Sequence, residues 1–133
     1  MRTAVVIADA LLKLSGLALL ALGLFFWAGK ALDLIPLHMI LGVVFVLTLW
    51  TLAVLGWRAG LGFQGAALRL AWGLGVLLLG IAQSRLLPGA EHWIVQGLHL
   101  FVGGFAINLG ARFAARMKKS MAAAPAAVTR DAA

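Results

Sequence analysis

Residues 34–57 read LIPLHMILGVVFVLTLWTLAVLGW, a run that contains no aspartate, glutamate, lysine or arginine. Because a helix needs roughly 20 apolar residues to cross the hydrocarbon core of a bilayer, this run predicts a transmembrane helix. Lipid offers no hydrogen-bond partners to the backbone, and the run lacks the residue-by-residue alternation of a barrel strand. A continuous helix is therefore the structure that it favours.

Three further runs have a similar length and character. We place the four spans at residues 5–29, 34–57, 65–84 and 91–114. Apolar residues make up 64% of the 133-residue chain and charged residues only 11%, with a mean hydropathy of +1.07, so the chain must be solvated by lipid. The predicted fold is all-α: an integral membrane bundle of four transmembrane helices within residues 1–119. Residues 120–133 are small and low in complexity, and we expect them to form a flexible cytoplasmic tail.

The charged residues predict an orientation. One side of this topology collects basic residues: Arg2, Arg58, Arg69, Arg112, Arg116, Lys118 and Lys119. On the other side, Lys30 and Arg85 are offset by Asp33 and Glu91. The positive-inside rule therefore predicts that both termini are cytoplasmic. We attribute the net charge of +7 to this topology and expect no nucleic-acid partner, since no aromatic-rich basic module accompanies it.

Two halves of the chain resemble each other. Residues 14–23, LSGLALLALG, align with residues 71–80, AWGLGVLLLG, and residues 37–42, LHMILG, align with residues 98–103, LHLFVG. A duplicated hairpin of this kind predicts a pseudo-two-fold axis along the membrane normal, with His38 and His99 facing each other across it. The alternative is a chance likeness between leucine-rich helices.

The paired histidines suggest a metal-centred cofactor. A histidine inside a membrane span costs free energy unless it is paired, hydrated or coordinating, so it is a functional candidate. Two imidazoles are too few for zinc, which takes three or four protein ligands, whereas haem iron needs one or two axial groups. We therefore predict one haem b, with His38 and His99 as the iron ligands. Gly42 and Gly103 lie one turn further along the same faces, where they leave room for the macrocycle or, alternatively, allow close helix packing.

Other polar residues could complete such a site. Lys30 and Arg85, in the two outer loops, could pair with the haem propionates, or they could simply extend to the membrane surface. His92 and Gln96 continue the face of His99 along the fourth helix. His92 could replace His99 as ligand, bond to a propionate, relay protons to a quinone, or be an ordinary interfacial residue.

The two motifs LHMILG and LHLFVG on repeated hairpins resemble the bacterial four-helix membrane b-type cytochromes. The resemblance implies a multi-pass protein of the bacterial inner membrane that exchanges single electrons between haem and quinone, or with a periplasmic small oxidant or redox partner protein. Family members with two haems carry a second histidine set near the opposite surface. This chain has none there, so one haem is implied. Whether the protein is a quinone-linked oxidoreductase or a carrier is left open, and no catalytic side chain is predicted.

Two other classes of function stay open. Small four-helix membrane proteins can act as transporters or channels, often as homodimers, but these spans lack a central acidic residue. Asp9 lies near a helix end and has Lys13 four residues away, which predicts a local ion pair. The second alternative is a structural subunit of a larger membrane complex without any cofactor.

Overall fold

Four long helices make up the part of the chain that the structure describes. A computed structural model describes the backbone of residues 1–130 and the side chains of residues 1–123. The helices are α1 (Arg2–Trp27), α2 (Ile35–Arg58), α3 (Phe63–Ala82) and α4 (His92–Arg130). All four are long and apolar enough to cross a membrane, and the described residues contain no strand. The predicted all-α, four-helix transmembrane bundle is confirmed.

Local sequence explains the helix ends. Gly29 takes a left-handed backbone conformation with φ of 69°, and the Lys30 N–H bonds back to the Phe25 carbonyl oxygen at 2.8 Å, a common way to end a helix. Pro36 lies in the first turn of α2, where its missing N–H costs nothing. The ends of α1, α2 and α3 match the predicted spans to within a single turn.

The fourth helix is longer than the sequence predicts. It begins next to the predicted start but continues to Arg130, well past the predicted end at residue 114. The predicted flexible tail, residues 120–133, therefore lies partly in this helix. Residues 131–133 fall outside the described residues, and the mobility of the tail stays a prediction.

The bundle has two different ends. We call the end with the connections 28–34 and 83–91 the histidine end, and the opposite end the termini end. α1 packs on α2 and α4, α3 packs on α2 and more sparsely on α4, and α2 touches α4 across the bundle. The hydrophobic core lies toward the termini end, where Leu12, Leu49 and Leu52 are fully buried.

An ion-pair cluster joins α1 to α4 at the termini end. The predicted pair of Asp9 and Lys13 is present, with Lys13 Nζ 2.8 Å from Asp9 Oδ2. Lys118 of α4 also donates to the same carboxylate oxygen. Asp9 is buried, and the second lysine comes from a distant part of the sequence. The cluster therefore ties the first helix to the last.

Equivalent contacts in the two hairpins agree with the predicted duplication. A Cβ atom placed on Gly16 of α1 would lie 2.9 Å from Ile107 Cγ1 of α4. In the aligned position, a Cβ atom on Gly73 of α3 would lie 3.4 Å from Val46 Cγ1 of α2. The same alignment that pairs Gly16 with Gly73 in the first repeat segment pairs Val46 with Ile107 in the second. A two-fold rotation that places the first hairpin on the second would therefore also place the contact of Gly16 with Ile107 on the contact of Gly73 with Val46.

Two glycines of α3 provide a test of this packing. Replacing Gly73 with alanine would bring a Cβ atom to 2.5 Å from Trp50 Nε1, whose N–H donates to the Leu70 carbonyl oxygen. We expect Gly73→Ala to lower the free energy of unfolding by about 1–3 kcal/mol, as overpacking does. Gly75→Ala is the control, since nothing lies within 4 Å of its added Cβ. Thermal denaturation in detergent measures both, and equal melting temperatures would contradict the packing described.

Candidate functional site

The structure brings the two repeated histidines together at the histidine end. His38 lies in the first turn of α2 and His99 in the second turn of α4. Their ring centroids are 6.4 Å apart, and the ring planes are inclined by 52°. These two rings therefore face each other between the two helices that touch across the bundle. We call them the histidine pair.

Each ring of the pair lies against a glycine of its own hairpin. A Cβ atom on Gly23 of α1 would be 3.9 Å from His38 Cε1, and one on Gly80 of α3 would be 3.2 Å from His99 Cε1. Gly23 and Gly80 are aligned positions of the repeat, so the local arrangement is duplicated as well. In the sequence these glycines only serve to align the two hairpins. The two helices of each hairpin are antiparallel. A glycine near the end of the first helix therefore lies beside a histidine near the start of the second.

Phe26 makes a further contact with the histidine pair that the sequence does not predict. Its ring meets the His38 ring nearly edge-on, with centroids 5.4 Å apart and planes inclined by 62°. The aligned position in the second hairpin is Gln83, so the surroundings of the two histidines differ here. No signal in the sequence separates Phe26 from the other apolar residues of α1.

The histidine pair has unsatisfied polar atoms. The Nδ1 atoms of His38 and His99 are both buried, and neither has a hydrogen-bond partner. A buried polar atom left unpaired costs about 1–3 kcal/mol, and such exceptions in a folded protein call for an explanation. The two imidazoles therefore have unused capacity to donate, accept or coordinate.

The packing around the pair is loose. The buried residues of α2 all lie within the segment 45–56, and those of α3 are Ala66, Arg69 and Gly73. Both sets lie between the middle of the bundle and the termini end. Among the described residues that lie closer to the histidine end than Gly16, Phe45, Gly73 and Ala106, Val95 is the one buried residue. Cβ atoms added to Gly42 and Gly103 would meet nothing within 4 Å. These two glycines therefore border open space, and the alternative that they mediate close helix packing is not seen within the bundle.

The remaining predicted residues lie at the same end of the bundle. His92 is half-buried at the start of α4, and its Nδ1 lies 3.2 Å from the Leu86 carbonyl oxygen, which ties the ring to the α3–α4 connection. Gln96 is half-buried one turn further along. Lys30 and Arg85 are exposed in the two connections. The structure shows ring contact only for the histidine pair and leaves the roles of these four residues as predictions.

The donor set suits a group that takes two protein ligands. The described residues contain no cluster of three or more histidine, cysteine, aspartate or glutamate side chains able to hold a metal ion, so they offer no zinc-type site. Two imidazole nitrogens bound to one metal ion at about 2 Å each are about 4 Å apart, which places their ring centroids roughly 6 Å apart. The observed 6.4 Å agrees with that distance. Added Cβ atoms at Gly42 and Gly103 would meet no neighbouring atom, and the haem itself stays a prediction.

Comparisons with known proteins give no family for this chain. No protein-family model matches it, and no curated protein or solved structure is significantly similar to it. The resemblance to b-type cytochromes stays a prediction.

Cysteine cross-linking tests the facing of the two histidines. The chain has no cysteine, so the double variant His38→Cys, His99→Cys would carry the only two thiols. We expect a short bifunctional methanethiosulfonate to bridge them, giving the mass of one reagent per chain. The control replaces His38 and Phe101 with cysteine, because Phe101 is 68% exposed on the outer surface of α4. Two separate adducts on both variants would show that the rings do not face each other.

Proposed function

We propose that this protein is a membrane b-type cytochrome that holds one haem b between His38 and His99. The observation that supports the proposal is the spacing of the two rings, 6.4 Å between centroids, on helices that approach from opposite sides. The unpartnered nitrogens and the open space at Gly42 and Gly103 add to it. A bound haem supplies reversible one-electron chemistry at its iron.

In this proposal each part of the site has a defined task. His38 and His99 would bind the iron. Gly80 allows His99 to approach α3 closely and so fixes the tilt of its ring, while Phe26 limits rotation of the His38 ring. Gly42 and Gly103 keep the space beside the ligands free of side chains. The apolar residues of the four helices keep water away from the site, which influences the redox potential.

The polar residues of the histidine end would serve the edge of the same site. Lys30 and Arg85 are exposed cations in the two connections and suit the negative charge of the propionates. His92 and Gln96 lie between the pair and the surface along α4, where they could carry protons to or from a quinone. The electron partner is a lipid quinone or a redox protein at this surface.

The proposal includes an orientation in the membrane. Basic residues dominate the termini end, and the positive-inside rule places that end in the cytoplasm. The haem would then lie near the outer leaflet of a bacterial inner membrane. A single haem at that depth covers only part of the bilayer, so electrons would enter and leave on the outer side.

The visible spectrum of the purified protein is the direct test. Protein from haem-replete cells should give the reduced-minus-oxidised spectrum of a low-spin b haem. We expect His38→Ala or His99→Ala to abolish that spectrum, because each removes an axial ligand. His92→Ala is the control and should retain it, since His92 bonds to the Leu86 carbonyl group instead. Colourless wild-type protein would refute the proposal and favour transport or a structural role.

Filling the space beside Gly42 and Gly103 with larger side chains tests the same proposal by steric exclusion. We expect Gly42→Leu and Gly103→Leu to lower haem occupancy, measured as bound haem per chain, because the new side chain would take the room of the macrocycle. Neither change meets protein atoms within 4 Å at its Cβ, and the melting temperature of the haem-free protein shows whether the rest of the leucine side chain disturbs the bundle. Gly75→Leu, also in open space, is the matched control. Full occupancy in both variants would contradict a haem at this position.

A further inference from the structure

Arg69 is a buried positive charge near the termini end of the bundle. It lies in the second turn of α3, only 6% exposed, within a membrane span. Its Nη1 donates to the Gly65 carbonyl oxygen of the same helix, while its Nε is buried and has no partner. Most of the hydrogen-bonding capacity of this guanidinium is therefore not used by the described residues.

Phe113 holds the guanidinium in place. Arg69 Cζ lies 3.8 Å from the centroid of the Phe113 ring, a cation–π contact. Phe113 itself is buried and contacts the backbone position of Gly56, which has no room for a side chain. The aromatic ring orients Arg69 but leaves its charge uncompensated.

No carboxylate balances that charge. The described residues contain three acids, Asp9, Asp33 and Glu91. Asp9 is bound by Lys13 and Lys118, and the other two lie at the histidine end. Among the residues with described side chains, no ion pair involves an arginine.

A second arginine adds to the positive charge. Arg116 of α4 lies one turn after Phe113, the ring that Arg69 contacts, so the two arginines lie at the same end of the bundle. Arg116 is exposed, so a ligand can reach it from the membrane surface. Two like charges, one of them buried, repel each other and favour binding of an anion between or beside them.

We propose that Arg69 and Arg116 form a binding site for a phosphate group, and that the group belongs to an anionic phospholipid. Guanidinium groups match phosphate oxygens in geometry and charge. Basic pockets between transmembrane helices on the cytoplasmic side commonly bind acidic headgroups. Arg69 lies about 9 Å from the start of α3 along its axis, within reach of the headgroup layer. In this site the phosphate accepts hydrogen bonds from both guanidinium groups, from the exposed Arg116 and from the unused N–H groups of Arg69.

Native mass spectrometry of the full chain tests the site. The probes are phosphatidylglycerol, phosphatidylcholine and inorganic phosphate, added separately to detergent-solubilised protein. We expect phosphatidylglycerol to bind wild type, and Arg116→Gln to weaken that binding about tenfold, as the loss of a charged hydrogen bond does. Arg69→Lys should weaken it too, because lysine lacks the planar fork. Arg2→Gln is the control, since it removes an exposed positive charge from α1, a helix with no packing contact to α3.

The outcomes are distinct. Selective loss of phosphatidylglycerol binding in Arg116→Gln, with Arg2→Gln unchanged, supports the proposal. Equal binding by wild type and Arg116→Gln overturns it, and because Arg116 is exposed this variant tests the site even if Arg69→Lys does not fold. Binding of inorganic phosphate that depends on Arg116, without lipid binding, overturns the assignment to a phospholipid and identifies free phosphate as the ligand.

Discussion

The arrangement of this protein depends on the fact that lipid cannot form hydrogen bonds with polar groups. Each buried polar side chain within a span must therefore find its partner inside the protein. Ser15, Thr48 and Thr51 bond to carbonyl oxygens one turn earlier in their own helices. Trp50 and Trp72 donate to carbonyl oxygens of neighbouring helices, and so hold α2 to α3 and α3 to α4.

The exceptions to this rule are few and informative. The described residues leave four buried side-chain atoms without partners, which belong to Asp9, His38, Arg69 and His99. Asp9 already binds two lysines through its other oxygen. The remaining three atoms lie at the two places for which we propose ligands, one at each end of the bundle. The unpartnered nitrogens of His38 and His99 lie at the proposed haem site, and the unpartnered nitrogen of Arg69 lies at the proposed phosphate site.

The sequence predicts the fold better than it predicts the site. Span length and charge placement locate α1, α2 and α3, because the thickness of a bilayer imposes both. The end of α4 could not be predicted, since basic and small residues continue a helix beyond a membrane without any apolar signal. The repeat predicts that His38 and His99 face each other, and the structure places them together. Phe26 could not be predicted, because its importance comes from tertiary packing against His38 and not from any local pattern.

The predicted duplication of the hairpins places the two histidines at equivalent positions, but their surroundings differ. A duplication places a histidine and a glycine together in each hairpin, but the later contacts differ. His99 is pressed closely against Gly80, whereas His38 lies further from Gly23 and meets the edge of Phe26. Under the proposed function, the surroundings of an axial ligand influence the potential of the iron. Divergence of the hairpins around an unchanged ligand pair would therefore tune the potential while the geometry that holds the iron stays fixed.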